Sequence, residues 1–215
     1  MSLRNRVTPF GEIVAVPARG TLMGNRGVLH NAEQRIVRDW QVRRWIACRL
    51  EFRGRHRPVM PPGRWTALFF LDEATALAAG HRPCAECRHA DYQRFRTAWS
   101  AADPWPPSPA SPTPEPPSGW SSVEAIDRQL HAERRHGPWQ PRTHLAELIT
   151  LPDGAFIAHD GAAWLVSNDA LLRWTPAGYT ARRPRASGMV TLLTPPSLVA
   201  VLAAGYTPML HPSAA

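Results

Sequence analysis

FFLDEATALAAGHRPCAEC, residues 69–87, holds two of the three cysteines of this 215-residue chain. Two phenylalanines end a short apolar run that is typical of a strand. In the DEATALAAG segment that follows, Asp72 can cap a helix and Gly80 can end it. Cys84 and Cys87 then form a Cys-x-x-Cys pair, which serves proteins as a metal clip, a redox pair or two buried thiols. The stretch therefore predicts a strand, a helix and a thiol site within one small αβ unit.

The sequence on either side of this stretch predicts a further strand and a further helix of the same αβ unit. In RWIACRLEF, the apolar residues Ile46, Cys48, Leu50 and Phe52 alternate with other residues, which is the period of a half-buried strand. The segment RHADYQRFRTAW after the cysteine pair has helical periodicity. Its predicted buried face consists of Tyr92, Phe95 and Trp99.

A proline-rich segment divides the chain. Residues 103–119, DPWPPSPASPTPEPPSG, contain eight prolines, which exclude helix and sheet and favour an extended spacer. We therefore predict an N-terminal α+β domain over 1–102, a linker over 103–119 and a C-terminal α+β domain over 120–215.

The C-terminal part predicts a helix, a meander and a second helix. In SSVEAIDRQLHAERRHG, Ser121 and Glu124 have the spacing of a capping box. GAFIAH, AAWLVS and ALLRW predict three antiparallel strands joined by two tight turns. VTLL predicts another strand, and Thr194 is the predicted cap of the helix in TPPSLVAVLAAG. Because strands and helices segregate, the predicted class is α+β, with a small cysteine-containing module and an antiparallel meander flanked by helices.

The composition points to a polyanionic partner. The formal net charge is +8, and all 25 basic residues are arginines. Without lysine, catalysis through an internal-lysine Schiff base is excluded. A GC-rich genome would explain the missing lysines, but it would not explain the excess of positive charge. Arginine suits phosphates and guanine edges, and this favours nucleic acid.

The sequence lacks the patterns of a membrane helix and of a signal peptide. No apolar run approaches the roughly 18 residues of a membrane helix. The first residues lack the apolar stretch of a signal peptide, and the odd number of cysteines argues against a secreted disulfide framework. We therefore expect a cytoplasmic protein without a membrane partner.

Residues 69–87 resemble the metal-binding module of Ada-type alkylation-repair proteins. The shared pattern is an aromatic strand, an alanine-rich helix ending in Ala-Gly, and Arg-Pro-Cys-x-x-Cys. The resemblance implies that Cys84 and Cys87 bind zinc, and that His81 replaces an aromatic residue of the family. In place of the family's upstream ligands, this chain offers Cys48 and His56.

A structural zinc site needs four ligands, and the sequence leaves two of them open. Cys48 is a candidate third ligand, although its place on an apolar strand face equally suits a core thiol. The candidates for the fourth ligand are His56 and His131. The alternative is a reduced dithiol without metal, while a thioredoxin-type pair lacks the βαβ context.

A second motif favours an enzyme. Zinc-dependent nucleobase deaminases carry His-x-Glu and Pro-Cys-x-x-Cys, and this chain has both, with His131 and Glu133 in the first and residues 83–87 as the second. The order is reversed, however. Glu133 falls on the apolar stripe of its helix, so it is either paired with Arg134, Arg135 or another arginine, or it is a catalytic acid or base.

Arginines lie beside aromatic residues in both halves of the chain. GNRG, residues 24–27, is either a plain turn or a phosphate cradle, and Trp40 or Trp45 can stack on bases. RWTPAGYTARRPR predicts an exposed basic loop. The candidate nucleic-acid-binding residues are Arg26, Arg49, Arg53, Arg55, Arg57, Arg82, Arg173, Arg182 and Arg183.

Together these patterns predict a nucleic-acid-binding protein that acts in DNA or RNA repair, modification or processing and carries a zinc-type cysteine module. One alternative is a metal-dependent hydrolase or deaminase acting on a nucleobase or nucleotide, with His131 and Glu133 as catalytic residues. Another is a protein-interaction module whose proline-rich segment binds an aromatic groove.

Overall fold

The computed structural model describes residues 2–55, 58–102, 122–137 and 140–215. The strands of the first sheet are β1 (Arg4–Val7), β2 (Ile13–Ala15), β3 (Leu22–Asn25), β4 (Ile46–Arg49), β5 (Leu68–Phe70) and β6 (Arg82–Pro83). A separate pair consists of β7 (Arg135–Gly137) and β8 (Gln140–Pro141). The strands of the second sheet are β9 (His144–Glu147), β10 (Phe156–His159), β11 (Ala162–Ser167), β12 (Ala170–Thr175), β13 (Gly178–Pro184) and β14 (Met189–Leu192). The helices are α1 (Glu73–Ala78), α2 (His89–Ala102), α3 (Val123–Arg134) and α4 (Pro196–Ala203). Two short 3₁₀ turns cover Leu148–Thr150 and Pro212–Ala214.

The first sheet is mixed and has the order β2-β1-β5-β3-β4-β6. Its last two strands, β4 and β6, run parallel, with Ile46 opposite Arg82 and Ala47 opposite Pro83. This pairing places the residue after β6, Cys84, beside the strand that carries Cys48. The predicted helix α1 follows β5, and Asp72 is its cap as expected, since its side chain accepts a hydrogen bond from the N–H of Thr75.

The second sheet is antiparallel throughout and has the order β13-β12-β11-β10-β14-β9. Strands β10 to β13 form a meander. Asp160 and Gly161 join β10 to β11 with φ angles of 48° and 69°, which is the backbone of a type I′ hairpin turn. The predicted α+β class and meander are thus confirmed.

Helices cover both faces of the second sheet. On one face, α2, α3 and α4 contribute residues such as Trp99, Ile126 and Leu198 to a core that includes Ile157. On the other face, α1 packs against Phe156 and its neighbours. Because α1 and α2 come from the first half of the chain, the two halves share these cores. The proposed division at 103–119 lies outside the described residues, and the two domains stay a prediction.

Tyr92, Phe95 and Trp99 are buried on α2, as predicted. Several local predictions were wrong. The basic stretch after β12 is not a loop, because residues 178–184 form strand β13. Leu50 lies beyond the end of β4 and is 46% exposed.

Two helix caps also differ from the predictions. The hydroxyl of Ser122 caps α3 by accepting from the N–H of Ala125, while Ser121 lies outside the described residues. Thr194 does not cap α4, whose N-cap is Pro195. The Thr194 hydroxyl instead accepts a hydrogen bond from the N–H of Phe156 in β10. Among the described helices, none has the length and apolar character that spanning a membrane requires.

Candidate metal centre

Cys48, Cys84 and Cys87 form one cluster, here called the cysteine triad. Their three Sγ atoms all lie within 4.8 Å of one another. Each side chain is buried, and all three cysteines are free thiols. Zinc with tetrahedral thiolate ligands at about 2.3 Å requires sulfur–sulfur distances of about 3.8 Å. Small side-chain adjustments therefore suffice for the triad to hold a metal ion.

The backbone around the triad places the sulfurs. Cys84 donates its N–H to the carbonyl of Ala47 at 3.0 Å, which extends the β4–β6 pairing by one residue. Arg88 donates its N–H back to the carbonyl of Cys84 at 3.1 Å and closes the turn between the two cysteines. The N–H of Arg49 points at the sulfur of Cys87 at 3.4 Å. Backbone N–H groups directed at sulfur stabilise the thiolate form that binds metals.

The three thiols differ in acidity. Hydrogen bonds from Cys48 and Cys87, together with backbone N–H groups of Cys87 and Glu86, lower the pKa of Cys84 far below that of an ordinary thiol. Hydrogen bonds with Cys84 and Cys87, together with burial, raise the pKa of Cys48. Cys84 is therefore the most acidic thiol of the triad, since the pKa values of Cys48 and Cys87 are raised. A metal ion would replace the shared protons.

Cys48 therefore lies beside the Cys-x-x-Cys pair. Its position fits both roles that the sequence left open, a metal ligand and a buried core thiol. The neighbours of the triad are Met23, Ile46 and Phe52, which makes it an apolar cluster as well. A low-polarity shell of this kind strengthens metal–thiolate bonds by excluding water.

The fourth ligand is not fixed by the described residues. His131 is not a member of the group. Its ring lies edge-on against Trp40, with the ring centroids 4.4 Å apart. His56 lies outside the described residues and stays a prediction. The preceding residue, Arg55, forms an ion pair of 2.8 Å with Glu86, which lies between the two paired cysteines in sequence.

The triad lines a cleft of about 720 Å³, here called the cysteine cleft. Its wall includes the exposed arginines Arg43 and Arg44, which precede β4, and Arg128 from α3. Trp65 also lines it and is 53% exposed. The aromatic ring of Tyr92 completes the wall on the side of α2.

Two of the predicted nucleic-acid contacts are buried in the protein. Arg26 is fully buried, and its guanidinium carbon lies 4.0 Å from the ring centroid of Trp45. The GNRG segment therefore does not present this arginine to a phosphate. Arg82 is 2% exposed and forms an ion pair with Asp127 at 2.8 Å. Arg26 is enclosed, and the guanidinium of Arg82, although the residue lines the cysteine cleft, is held by Asp127, which corrects both assignments.

Of the other candidate arginines, Arg49, Arg53, Arg55, Arg173 and Arg182 are exposed, Arg183 is half-buried, and Arg57 lies outside the described residues. Arg182 pairs with Asp169 at 3.2 Å. Arg183 lies over the ring of Trp164 at 4.3 Å. None of the three candidate arginines on the second sheet, Arg173, Arg182 and Arg183, lines the cysteine cleft.

Glu133 is a structural cap. One carboxylate oxygen accepts from the N–H of Ser197 at 2.9 Å, and the other accepts from the Ser197 hydroxyl and from Gln129. Ser197 lies in the first turn of α4, where backbone N–H groups lack helical partners. Its partners are not the arginines expected from the sequence, and neither Glu133 nor His131 lies with the triad.

Sequence reasoning missed several cleft residues. Arg43 and Arg44 lie in the stretch where arginine and tryptophan alternate, but that stretch suggested Trp40 and Trp45 as stacking residues. Trp45 is only 2% exposed. The exposed tryptophan of the cleft is Trp65, from the loop before β5, and no local pattern marks it.

Comparison of the chain with protein-family models, with curated proteins and with solved structures finds no match in any of the three.

Proposed function

We propose that this protein binds one zinc ion at the cysteine triad and binds a nucleic-acid strand in the cysteine cleft. The metal fixes the floor of the cleft, the arginines contact phosphates, and Trp65 stacks on a base. The resemblance of residues 69–87 to the Ada-type module supports a role in repair, modification or processing of DNA or RNA. The observation that carries the proposal is that the triad, three exposed arginines and an exposed tryptophan line one cleft.

The charge balance of the cleft favours an anionic ligand. Of its carboxylates, Asp127 is paired with Arg82 and Glu86 with Arg55. Glu124 is the remaining acidic residue of the lining, against three exposed arginines. A concave surface with excess positive charge attracts polyanions and speeds their association.

The exposed Trp65 favours a ligand that contains nucleobases. Trp65 is more than half exposed at the cleft wall. Stacking of a base on an aromatic side chain contributes about 1–3 kcal/mol and does not depend strongly on sequence. A strand with unpaired bases fits this combination better than a duplex, whose bases are already stacked.

Fluorescence anisotropy with labelled single-stranded DNA, single-stranded RNA and duplex DNA tests the proposal. We expect the zinc-loaded protein to bind single strands of about 12 nucleotides more tightly than duplex. Raising salt from about 50 to 200 mM should weaken binding at least about tenfold, because three phosphate contacts release their counterions. Absent or salt-insensitive binding to all three probes would overturn the proposal.

Matched variants locate the binding surface. The triple variant Arg43→Gln, Arg44→Gln, Arg128→Gln should lose most of the affinity and flatten the salt dependence. A control variant with Arg19→Gln, Arg35→Gln and Arg173→Gln removes the same charge from exposed positions outside the cleft lining. Equal losses in the two triple variants would show nonspecific attraction and contradict binding in the cleft.

Trp65→Ala should weaken binding to single strands by about 5–150-fold, the equivalent of one stacked base. Leu145→Ala, at an apolar side chain that is 75% exposed on the second sheet, is its control. A Trp65→Ala variant with unchanged affinity would remove base stacking from the proposal.

One observation favours the enzymatic alternative, a metal-dependent hydrolase or deaminase. The described residues supply three thiol ligands, and these line an open cleft. Zinc with three protein ligands and a water is the arrangement of catalytic sites. In this alternative Glu124 would move protons, since it is the cleft carboxylate for which the described residues give no ion pair. This alternative is tested by assaying the zinc-loaded protein for hydrolysis of a nucleobase amine or of a nucleotide. The activity should be lost in a Glu124→Gln variant that keeps its metal.

A further inference from the structure

Two arginines from distant parts of the chain are buried against one tryptophan. Arg26 is 0% exposed and Arg134 is 6% exposed. Their guanidinium carbons lie 4.0 Å and 3.7 Å from the ring centroid of Trp45. Cation–π contacts of this kind contribute about 2 kcal/mol when desolvated, which is less than the cost of burying a charge.

The hydrogen-bond partners of both guanidinium groups are neutral. Arg26 donates to the carbonyl of Gly11 at 3.0 Å and to the ring of His81 at 3.4 Å. Arg134 donates to the carbonyls of Gly80 at 2.7 Å and of Arg43 at 2.6 Å. The buried Nη2 of Arg26 and Nε of Arg134 have no hydrogen-bond partner among the described residues.

Two acids act on this cluster, and each forms an ion pair with another arginine. Asp127, whose field raises the pKa of Arg134, pairs with Arg82, and Asp39 pairs with Arg135. Its field raises the pKa of Arg26, but burial and the charge of Arg135 outweigh it and lower that pKa to about 9. Burial and the charge of Arg26 lower the pKa of Arg134 well below its ordinary value. Burial is the largest cause of both shifts and the charges of neighbouring arginines add to it, so a charged guanidinium is costly at both positions.

A small cavity lies at this cluster. It has a volume of about 30 Å³, and its lining includes Trp45, Arg134, Arg135 and Gly11. A cavity needs about 10–15 Å³ to hold one water, so this one has room for a single small ion. A larger pocket of about 330 Å³ shares Gly11 and Arg135 with it, and the lining of that pocket also includes Glu12 and Asp39.

We propose that this cavity binds one small inorganic monovalent anion, of the size of chloride, between Arg134 and Arg135, which both line it. The anion neutralises charge that the described carboxylates leave uncompensated. Since Arg134 also holds the carbonyl of Arg43, the bound anion stabilises the chain segment that forms one wall of the cysteine cleft.

Thermal unfolding of the zinc-loaded full chain tests the site. The melting temperature is measured in sodium chloride, sodium bromide and sodium gluconate at equal ionic strength. We expect chloride and bromide to raise it by about 2–6 °C with a saturable dependence, because an anion that binds only the folded state stabilises it by mass action. Gluconate is too large for the cavity and should have no such effect. Equal melting temperatures in all three salts would overturn the proposal.

The variant Arg134→Gln should abolish the difference between chloride and gluconate. Arg128→Gln, at an exposed arginine of the same helix, should retain it. If Arg134→Gln does not fold, a bromide-soaked crystal of the wild-type protein decides the question. An anomalous peak in the cavity beside Arg134 supports the site, whereas bromide found only on the surface means an adventitious ion only and contradicts it.

Discussion

Arg82 and Asp127 form a bidentate ion pair, with Nε–Oδ1 and Nη2–Oδ2 distances of 2.8 Å each. Both side chains are nearly inaccessible to solvent, at 2% and 10% exposure. Arg82 lies in β6 two residues before Cys84, and Asp127 lies in α3 from the other half of the chain. The pair therefore ties the cysteine triad to a helix that follows the proline-rich segment.

Removing one member of this pair should strongly destabilise the protein. Asp127→Asn leaves the Arg82 guanidinium buried without a counter-charge, and we expect the free energy of unfolding to fall by about 3–5 kcal/mol. Urea unfolding monitored by tryptophan fluorescence measures this change. The double variant Arg82→Met, Asp127→Leu should regain part of the loss, because it buries no charge.

The exposed pair Arg55–Glu86 provides the control for this prediction. Its side chains are 46% and 56% exposed, so Glu86→Gln should cost less than about 1 kcal/mol. If Asp127→Asn were no more costly than Glu86→Gln, the buried pair would not hold the two halves together as the geometry indicates.

Metal binding should depend on the triad and on His56. We expect about one zinc per chain by elemental analysis, and Cys84→Ser should lower zinc affinity by more than the roughly 10–100-fold effect of losing an outer-shell partner. His56→Ala should also weaken zinc binding and change the absorption spectrum of the cobalt-substituted protein.

His89→Ala serves as the control for the histidine. His89 is exposed on α2, two residues after Cys87, and its ring bonds to the carbonyl of Ala85. If His56→Ala behaves like His89→Ala, His56 is not the fourth ligand. A protein without bound zinc would remove the metal centre altogether.

Much of the fold could be predicted from the sequence because its signals are local. Asp72 and Gly80 delimit α1 through capping and a positive φ of 79°. A side chain at Gly80 would also collide with Arg134, with a contact of 2.5 Å. Strand β13 escaped prediction because it is an edge strand whose exposed residues include Arg182 and whose end is Pro184, a composition also typical of loops.

The site was harder to predict because it depends on contacts between distant segments. Cys48 meets Cys84 only through the parallel pairing of β4 with β6, and no local pattern encodes that pairing. Arg26 was predicted as a phosphate contact from its GNRG turn, and Arg82 was predicted as a nucleic-acid contact, whereas arginine is generally exposed unless it is paired. Stacking on Trp45 and pairing with Asp127 reverse this preference, and both partners are remote in sequence.

The position of Glu133 gives a prediction that separates structure from catalysis. Glu133→Gln weakens the capping of α4 at Ser197, so we expect a loss of about 1–2 kcal/mol in stability. Zinc content and nucleic-acid affinity should stay unchanged at temperatures where the variant is folded. Glu124→Gln, exposed on the same helix, should change stability by less than about 0.5 kcal/mol. Lost activity in a fully stable Glu133→Gln variant would instead make Glu133 a catalytic residue.

The pKa of His131 predicts how the free energy of unfolding depends on pH. Burial and the positive charges of Arg134, Arg43 and Arg135 lower its pKa from 6.5 to about 4. Between these values the unfolded chain binds a proton that the folded chain does not. The contribution of His131 to stability is therefore complete above pH 6.5, falls as the pH decreases towards 4 and is lost below it. Since the ring is partly exposed, we expect a change of only about 1–2 kcal/mol.

Urea unfolding between pH 7 and pH 4 in wild type and in His131→Gln isolates this contribution, because all other titrating groups are common to both proteins. The variant should lose less stability on acidification, whereas His136→Gln, at an exposed position in β7, should follow the wild type. Parallel profiles for wild type and His131→Gln would mean that His131 takes up its proton equally well in the folded state. The cluster of arginines around it would then be more solvated than its packing indicates. The unfolding series is run in gluconate, because an anion bound at Arg134 would itself offset the positive field that lowers the pKa of His131.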